Sequence, residues 1–360
     1  MNNGALQCPL PISCGTEVTI GHGGGGRLTE ELVDGIFRKA FANPSLECRH
    51  DGAIVTVGGA RLAFSTDAHV VSPLFFPGGD IGKVAVHGTV NDLAMCGARP
   101  LWMSAGFILE EGLPMDTLRR VAASMAEAAA QSGVVIVTGD TKVVERGKGD
   151  GLYVTTAGVG VVDHWLSIGP AAIEEGDAVI LSGDIGRHGM AVMAVREGLE
   201  FESPIESDCA PLVTPVMALL SRGVTVHCLR DLTRGGLATA LVELAEARGL
   251  AIAIHERAVP VSEPVRGACE ILGLDPMYVA NEGRFICLVP EAEAGRALDV
   301  LANTEPASPS TRPAASLRAS PPVVIGRVGG PPIGEVTLRT VAGVDRVLSR
   351  LSGEQLPRIC

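Results

Sequence analysis

The residues of this sequence best suited to chemistry are four aspartates. Asp67, Asp140 and Asp231 each follow a short apolar run, and Asp92 lies near the end of a candidate helix. Carboxylates at strand ends beside glycine-rich turns are a common way to collect Mg²⁺ around a nucleotide triphosphate. One such aspartate is usually a turn former or a helix cap, so the interpretation depends on the whole set. The sequence favours a Mg²⁺–nucleotide site formed by these four residues.

A run of glycines in IGHGGGGRL (20–28) could bind the phosphates of that nucleotide. Because Gly23, Gly24, Gly25 and Gly26 lack a Cβ, their backbone N–H groups could close around an anion. The segment matches neither a P-loop nor the GxGxxG dinucleotide fingerprint. Taken alone, the run is equally consistent with a flexible loop.

The candidate helix begins after Asp80, a good N-cap, and should end at Gly97. His87 and Asn91 are four residues apart and share one helix face, with Asp92 beside them. The helix dipole disfavours an anion near the C-terminus by roughly a few tenths of a kcal/mol. Asp92 therefore fits a cation ligand, whereas His87 could be either a ligand or a packed polar group.

Two further residues could act on a nucleotide or beside it. Lys142 comes two residues after Asp140 and could balance phosphate charge. Cys360 is the last residue, and its thiol is either an ordinary exposed cysteine or a tethered carrier of a substrate group. The residues alone modestly favour the ordinary cysteine.

Composition excludes several classes of protein. The 360 residues carry 29 Lys and Arg against 41 Asp and Glu, a formal charge of −12, which argues against a nucleic-acid clamp or a binder of anionic membranes. No apolar run approaches the roughly 18 residues of a membrane helix. The first basic residue is Arg27, so we expect no secretory signal. Nine dispersed cysteines suit a reducing compartment, which predicts a cytoplasmic protein.

Short β-branched runs alternate with helical segments, which predicts a mixed α/β (α+β) fold in two domains. We expect the first domain over residues 1–165 and the second over 176–348. The Pro/Ala/Ser-rich stretch at 303–322 predicts a solvent-exposed, disordered-like insertion. Residues 349–360 should form a mobile tail that carries Cys360.

The motifs together resemble the HypE family of carbamoyl dehydratases, which serve nickel–iron hydrogenase maturation. The resemblance covers nearly the whole chain and rests on HGGGGRLTEELV (22–33), STDAHVVSPLFFPGGDIGKVAVHGTVNDLAMCGARP (65–100), GDTKVVERGKGDG (139–151), RDLTRGGLA (230–238) and the terminal PRIC (357–360). The wider superfamily resembles aminoimidazole-ribonucleotide synthetase, selenophosphate synthetase and thiamine-monophosphate kinase. Those relatives share the nucleotide motifs and lack the terminal PRIC.

The resemblance implies a first domain whose half-barrel sheet pairs with its copy in a homodimer, and a second α/β domain beside it. The implied cofactors are ATP and Mg²⁺, with the nucleotide between the domains. The implied partners are a carbamoyltransferase that loads Cys360 and an iron-carrying scaffold complex that accepts cyanide.

The implied reaction starts from a carboxamide on the sulfur of Cys360. ATP phosphorylates the amide oxygen, and loss of phosphate and a proton leaves a thiocyanate. Glu282 matches the family's candidate base, and Lys142 matches its phosphate or oxyanion partner. The implied nucleotide ligands are the four glycines with Asp67, Asn91 and Asp140. Without the family match, Glu282 would equally well be an exposed loop acid.

Two other functions remain consistent with the sequence. One is a small-molecule kinase or ligase of the same superfamily, in which the C-terminus is inert. The other is a non-catalytic thiol carrier or scaffold that presents Cys360 and binds ATP only for regulation.

Overall fold

The structure is a computed structural model that describes residues 17–199, 204–304, 320–330, 332, 334–351, 353, 356 and 358–360. Its helices are α1 (Arg27–Leu32), α2 (Arg38–Ala40), α3 (Ile81–Met95), α4 (Met115–Ser132), α5 (Arg187–Arg196), α6 (Val213–Ser221), α7 (Gly236–Arg248), α8 (Glu263–Leu272) and α9 (Ala294–Ala302). Its strands are β1 (Ala53–Val57), β2 (Ala60–His69), β3 (Phe75–Phe76), β4 (Gly79–Asp80), β5 (Arg99–Glu110), β6 (Val135–Val144), β7 (Leu152–Val161), β8 (Ala178–Leu181), β9 (Cys228–Asp231), β10 (Ile252–His255), β11 (Phe285–Val289), β12 (Val323–Val328), β13 (Val336–Arg339) and β14 (Asp345–Leu348). Most of the predicted insertion at 303–322 lies outside the described residues.

The first domain is built on a sheet with the strand order β1-β2-β7-β5-β6. Only β5 and β6 run parallel; the other neighbours in this sheet are antiparallel. Helix α3 packs across β2 and β7 and is itself covered by α4. Asp80 caps α3 by accepting from the backbone N–H groups of Gly82 and Lys83, and Gly97 follows the helix with φ of 70°. The predicted start and end of this helix are confirmed.

Among the described residues, no element covers the opposite face of the first sheet, which is called the uncovered face below. Phe64, Val159, Trp102 and Val135 stand in register across four strands on that face. The Trp102 side chain is 53% exposed, and Phe64 and Val135 are similarly exposed. A row of large apolar side chains of this kind marks an interaction surface.

The second domain is a mostly antiparallel sheet with the order β14-β13-β10-β12-β8-β11-β9. Both faces of its centre are buried: Val179 and Leu181 of β8 pack towards α7, and Ala178 and Ile180 towards α6 and α9. These faces explain why β8 and β11 are continuous apolar runs rather than alternating ones. The predicted mixed α/β fold in two domains is confirmed.

Helix α3 joins the two domains, since it packs against the first sheet on one side and against α6 and β9 on the other. It therefore places Asp92 next to Asp231 at the end of β9.

The expectation that Asp67 and Asp140 follow their strands is wrong, because β2 and β6 extend past them. Among the described residues, no helix combines the length and apolarity needed to cross a membrane.

Candidate active site

A cavity of about 260 Å³ lies where the two domains meet. Asp67 of β2 and Asp92 of α3 line it from the first domain, and Asp231 at the end of β9 lines it from the second. Gly25 of the glycine run closes another side. Three elements from distant parts of the chain thus bring three of the four predicted aspartates to one place.

A cluster of three carboxylates occupies this cavity. Asp51, Asp92 and Asp231 each offer an oxygen within 4.8 Å of the others. Burial raises the pKa of each carboxyl group, and neighbouring carboxylates raise the pKa of Asp92 and Asp231 further. Ser65 Oγ donates to Asp92 at 2.6 Å, and Arg230 lies 3.0 Å from one Asp51 oxygen. The other Asp51 oxygen is buried without a hydrogen-bond partner among the described residues. This set suits a hard divalent cation, which would relieve the repulsion.

Arg234 stands between these carboxylates and the C-terminal tail. Its Nη2 lies 3.9 Å from an oxygen of Asp67, and its Nη1 donates to the Gly23 carbonyl at 3.5 Å. The same residue lines a second, small cavity with Leu356 and Ile359 of the tail. Arg234 can therefore contact an anionic group that bridges the two cavities.

The glycine run reaches the carboxylate cavity only in part. Gly25, with φ of 74°, lines it and donates its N–H to Thr29 Oγ1 at 2.9 Å. Gly26 packs on the backbone of Leu351, where a Cβ would lie 2.4 Å from the carbonyl oxygen. Gly24 lines the small cavity beside the tail instead. The run therefore contacts both cavities and the segment that leads into the tail.

Asp140 and Lys142 lie together outside the cavity. Lys142 Nζ donates to Asp140 at 2.8 Å, and each side chain is 71% exposed. Their register partners are Gly106 and Ile108, which places them on the uncovered face of the first sheet. Three strand spacings, about 14 Å, separate β6 from β2. The expected convergence of Asp140 with the other aspartates is therefore wrong within one protomer.

Glu282 is buried between the domains rather than exposed on a loop. Its Oε1 has no hydrogen-bond partner among the described residues. Desolvation raises the pKa of this carboxyl group well above its usual range, and Asp67 and Asp231 raise it further, while Arg234 opposes them. A buried carboxyl with an unused oxygen and a raised pKa has the properties of a general base.

Asn91 holds the Glu282 turn in place. Its Nδ2 donates to the carbonyls of Ala210 at 3.1 Å and Glu282 at 3.3 Å, and its Oδ1 accepts from the Leu212 N–H at 2.8 Å. Asn91 is not among the residues that line the cavity, so these contacts do not support its predicted contact with the nucleotide. His87 is also away from the cavity lining, and burial lowers its pKa to about 3, as expected of a packed neutral side chain.

The C-terminal tail lies inward, next to these groups. The Val70 N–H donates to the Cys360 carbonyl at 3.0 Å. Burial raises the pKa of the Cys360 thiol, Arg234 opposes that rise, and Glu282 and Asp67 add to it. The thiol is thus within electrostatic range of the candidate base, the candidate anion contact and the carboxylate cavity. The predicted mobility of the tail stays a prediction.

Two residues of this site escaped the sequence analysis. Asp51 lies in a polar turn before β1, and nothing in its local sequence distinguishes it from an ordinary turn aspartate. Arg234 belongs to the segment RDLTRGGLA, whose glycines and arginines could have drawn attention to an anion contact.

The chain matches one family along most of its length. Residues 49–162 match the AIR synthase related protein N-terminal domain, and residues 174–308 match the AIR synthase related protein C-terminal domain. The first matched segment contains every strand of the first sheet, the second contains four of the seven strands of the second sheet (β8 to β11), and the carboxylate cluster draws on both segments.

Individual relatives are similar over nearly the full chain. "Carbamoyl dehydratase HypE" of Azotobacter vinelandii is 50% identical over 339 residues, which cover 94% of this chain and 96% of that protein. A crystal structure of hydrogenase maturation protein HypE in complex with ATP has a TM-score of 0.77 at 45% identity, covering 96% of this chain and 100% of that one. A crystal structure of a HypE–HypF complex gives 0.80 at 41% identity, covering 89% and 99%.

Proposed function

This chain belongs to the HypE family of carbamoyl dehydratases, and on that premise we propose how its own residues perform the ATP-dependent dehydration that serves hydrogenase maturation. Cys360 carries a carboxamide on its sulfur. The carboxamide and ATP become a thiocyanate, ADP, phosphate and a proton, so the amide oxygen leaves within the phosphate. The sulfur–carbon bond is kept throughout, and the product holds the cyano group for transfer.

One observation carries this proposal: the tail lies inward, where the Cys360 carbonyl accepts from the Val70 N–H and Ile359 lines the small cavity together with Arg234, which also lines the carboxylate cavity. An amide oxygen is a poor leaving group until it is phosphorylated. A site that holds a thiol-bound amide beside a phosphate site needs mainly positioning and charge neutralisation to do this. The structure supports the proposal by bringing these parts within one enclosed region.

Each residue has a distinct task in this proposal. Glu282 accepts a proton from the carboxamide nitrogen as the carbon–oxygen bond breaks. Arg234 contacts the negative charge that develops between the carboxamide oxygen and the phosphate. Gly25 supplies close backbone approach to the phosphates, and Asn91 orients Glu282 through its backbone.

We propose that Mg²⁺ is held by Asp51, Asp92 and Asp231, with Asp67 facing the nucleotide phosphates. The buried, unsatisfied oxygen of Asp51 and the mutual repulsion of the three carboxylates support this assignment. A bound Mg²⁺ would neutralise phosphate charge during transfer.

We expect Glu282→Gln to slow dehydration of the loaded tail by about 10²–10⁴-fold, the usual contribution of a general base. Because the pKa of Glu282 is raised, the wild-type group is protonated at low pH and becomes a base as pH increases. The wild-type rate should therefore rise with pH through that raised pKa, and the variant should lack the rise. Single-turnover assays on loaded chain across pH measure both effects.

The control for this experiment is ATP affinity, which should be unchanged in Glu282→Gln because the amide keeps the size of the side chain. A variant with the wild-type rate and pH profile would remove Glu282 from the mechanism.

We also propose that the chain forms a homodimer through the uncovered face of the first sheet. Burying a large apolar side chain contributes about 1.5–3 kcal/mol, so the row around Trp102 favours pairing with a second copy. Asp140 and Lys142 lie on the same face. In a dimer they would be at the interface, where Lys142 could reach the phosphates bound by the partner subunit.

The partners we propose follow from the same chemistry. A carbamoyltransferase loads the thiol, as the HypE–HypF complex of the relatives suggests. An iron-carrying scaffold complex accepts the cyano group. Each cysteine in the described part of the chain is a free thiol, which supports a reducing, cytoplasmic setting.

The dimer predicts a specific response to charge on the uncovered face. Wild-type chain should scatter light as twice 37.2 kDa at micromolar concentration, and Trp102→Glu should shift the mass to one chain. Trp165→Glu is the matched control, because that side chain is 98% exposed and lies beyond the first sheet. A wild-type mass of a single chain would contradict the proposed interface.

A further inference from the structure

The tail is held inward by backbone hydrogen bonds, by Arg196, whose Nη2 donates to the Arg358 carbonyl at 2.9 Å, and by the ion pair of Arg358 with Asp150. Val70 and Ser72 donate their N–H groups to the carbonyls of Cys360 and Arg358 at 3.0 and 3.2 Å. Water can replace such bonds when the tail leaves, so they alone favour the docked position weakly. Any side chain that binds the tail backbone from the buried side would have a larger effect on its position.

His188 makes that contact. It lies in α5, its side chain is wholly buried, and its Nε2 is 2.8 Å from the carbonyl oxygen of Ile359. A carbonyl oxygen only accepts hydrogen bonds, so Nε2 carries the hydrogen. The Ile359 carbonyl belongs to the peptide group that includes the nitrogen of Cys360. The imidazole therefore fixes the peptide plane from which the reacting thiol extends.

The other ring nitrogen is held by a short relay. Nδ1 of His188 lies 2.9 Å from Ser207 Oγ, and Ser207 Oγ accepts from the backbone N–H of Cys209 at 3.1 Å. With Nε2 protonated, a neutral imidazole leaves Nδ1 as an acceptor, so the Ser207 hydroxyl donates to it. All three hydrogen bonds then point in one direction, from Cys209 through Ser207 and His188 to the tail.

The surroundings keep this imidazole neutral. Burial lowers the pKa of His188, while Asp208 and the bond to Ile359 oppose that effect less strongly. The edge of the ring also packs against Phe76, with centroids 5.3 Å apart and planes at 81°. The donor to the tail is therefore rigid and already oriented before the tail arrives.

We infer that His188 is a positioning residue that favours the inward position of the tail. It thereby sets how the tail is distributed between an outward position, where Cys360 is loaded, and the inward position, where the carboxamide is dehydrated. This inference rests on the proposed function for its consequence, but the contact itself does not. Weakening the contact should favour the outward tail. Loading should then become faster or stay unchanged, while dehydration becomes slower, whereas a general loss of structure would slow both.

The first test uses His188→Leu, which removes the hydrogen-bond donor and fills the site with an apolar side chain. Alkylation of Cys360 by iodoacetamide, followed by peptide mass spectrometry, should accelerate by roughly three- to tenfold, as the loss of one hydrogen bond predicts. The buried thiols of Cys228 and Cys287 are internal controls and should stay protected. His188→Gln, whose amide can donate to Ile359, should recover part of the protection.

A Cys360 alkylation rate equal to that of wild type would overturn the inference, and so would equal acceleration at Cys228 and Cys287. If His188→Leu does not fold, His188→Phe decides the question. That variant keeps an aromatic ring against Phe76 and has no hydrogen-bond donor for Ile359. It should also expose Cys360, and unchanged protection would overturn the inference.

The two proposals fail separately. If wild-type chain never dehydrates a loaded tail, the proposed function is wrong and the alkylation result still decides the role of His188. If wild-type chain dehydrates the tail and His188→Leu does so at the same rate, His188 does not position the thiol.

Discussion

Cys360→Ala is expected to bind ATP like the wild-type chain and to release no phosphate in a mixture containing carbamoyl donor, transferase and ATP. The substitution removes only the sulfur, and the backbone contacts of residue 360 with Val70 remain. Without the sulfur there is no carboxamide to phosphorylate. Calorimetry for ATP and a phosphate-release assay in the complete mixture measure the two outcomes.

Cys209→Ala is the matched control for this experiment. Its thiol is also partly buried, and burial raises its pKa well above the usual range, so it shares the environment of Cys360 without being at the tail. We expect this variant to change stability alone. Phosphate release by Cys360→Ala that still depends on the carbamoyl donor would point instead to a kinase or ligase whose C-terminus is inert.

Asp92→Asn is expected to lower Mg²⁺-dependent ATP turnover by roughly 100-fold or more, the effect of losing one preorganised electrostatic contact. The amide can still accept the bond from Ser65 Oγ. The substitution also removes one of three mutually repelling buried acids. The melting temperature of the variant without Mg²⁺ should therefore match or exceed that of the wild type. The Mg²⁺-induced rise in melting temperature should be reduced or lost.

The sign of the pH effect follows from the raised pKa of Asp92. A folded state that binds the proton more tightly than the unfolded chain loses stability as pH rises above the unfolded pKa of about 3.9. Asp92→Asn removes this loss, so without Mg²⁺ its advantage over wild type should grow with pH. Asp163→Asn, at an exposed acid paired with Arg99, is the control. If Asp92→Asn unfolds and a refolded fraction keeps full turnover, Asp92 is structural.

Local signals predicted the elements around the site well. Both ends of α3 could be predicted from the sequence. Asp80 provides the N-cap, and Gly97 provides the left-handed residue that follows the helix. The same segment places Asp92 three residues before the end of the helix, where an anion needs a partner. Features of this kind depend on a few neighbouring residues, which is why they can be read without a structure.

Features that depend on the pairing of distant strands were predicted less well. Asp140 and Asp67 have similar surroundings in the sequence, but two intervening strands separate β6 from β2. Asp51 is the opposite case, an unremarkable turn residue that the first domain brings to within 4.8 Å of Asp92 and Asp231. The domain limits, the mobility of the tail and the roles of the site residues remain proposals.

The most direct test of the account is mass spectrometry of the C-terminal peptide after incubation with carbamoyl donor, the loading transferase and ATP. Without ATP, Cys360 should carry a carboxamide. With ATP, the same peptide should lose one water and become a thiocyanate, with phosphate released in equal amount. A thiocyanate on another cysteine with Cys360 unmodified, or ATP consumed while the terminal peptide stays unchanged, would contradict the account.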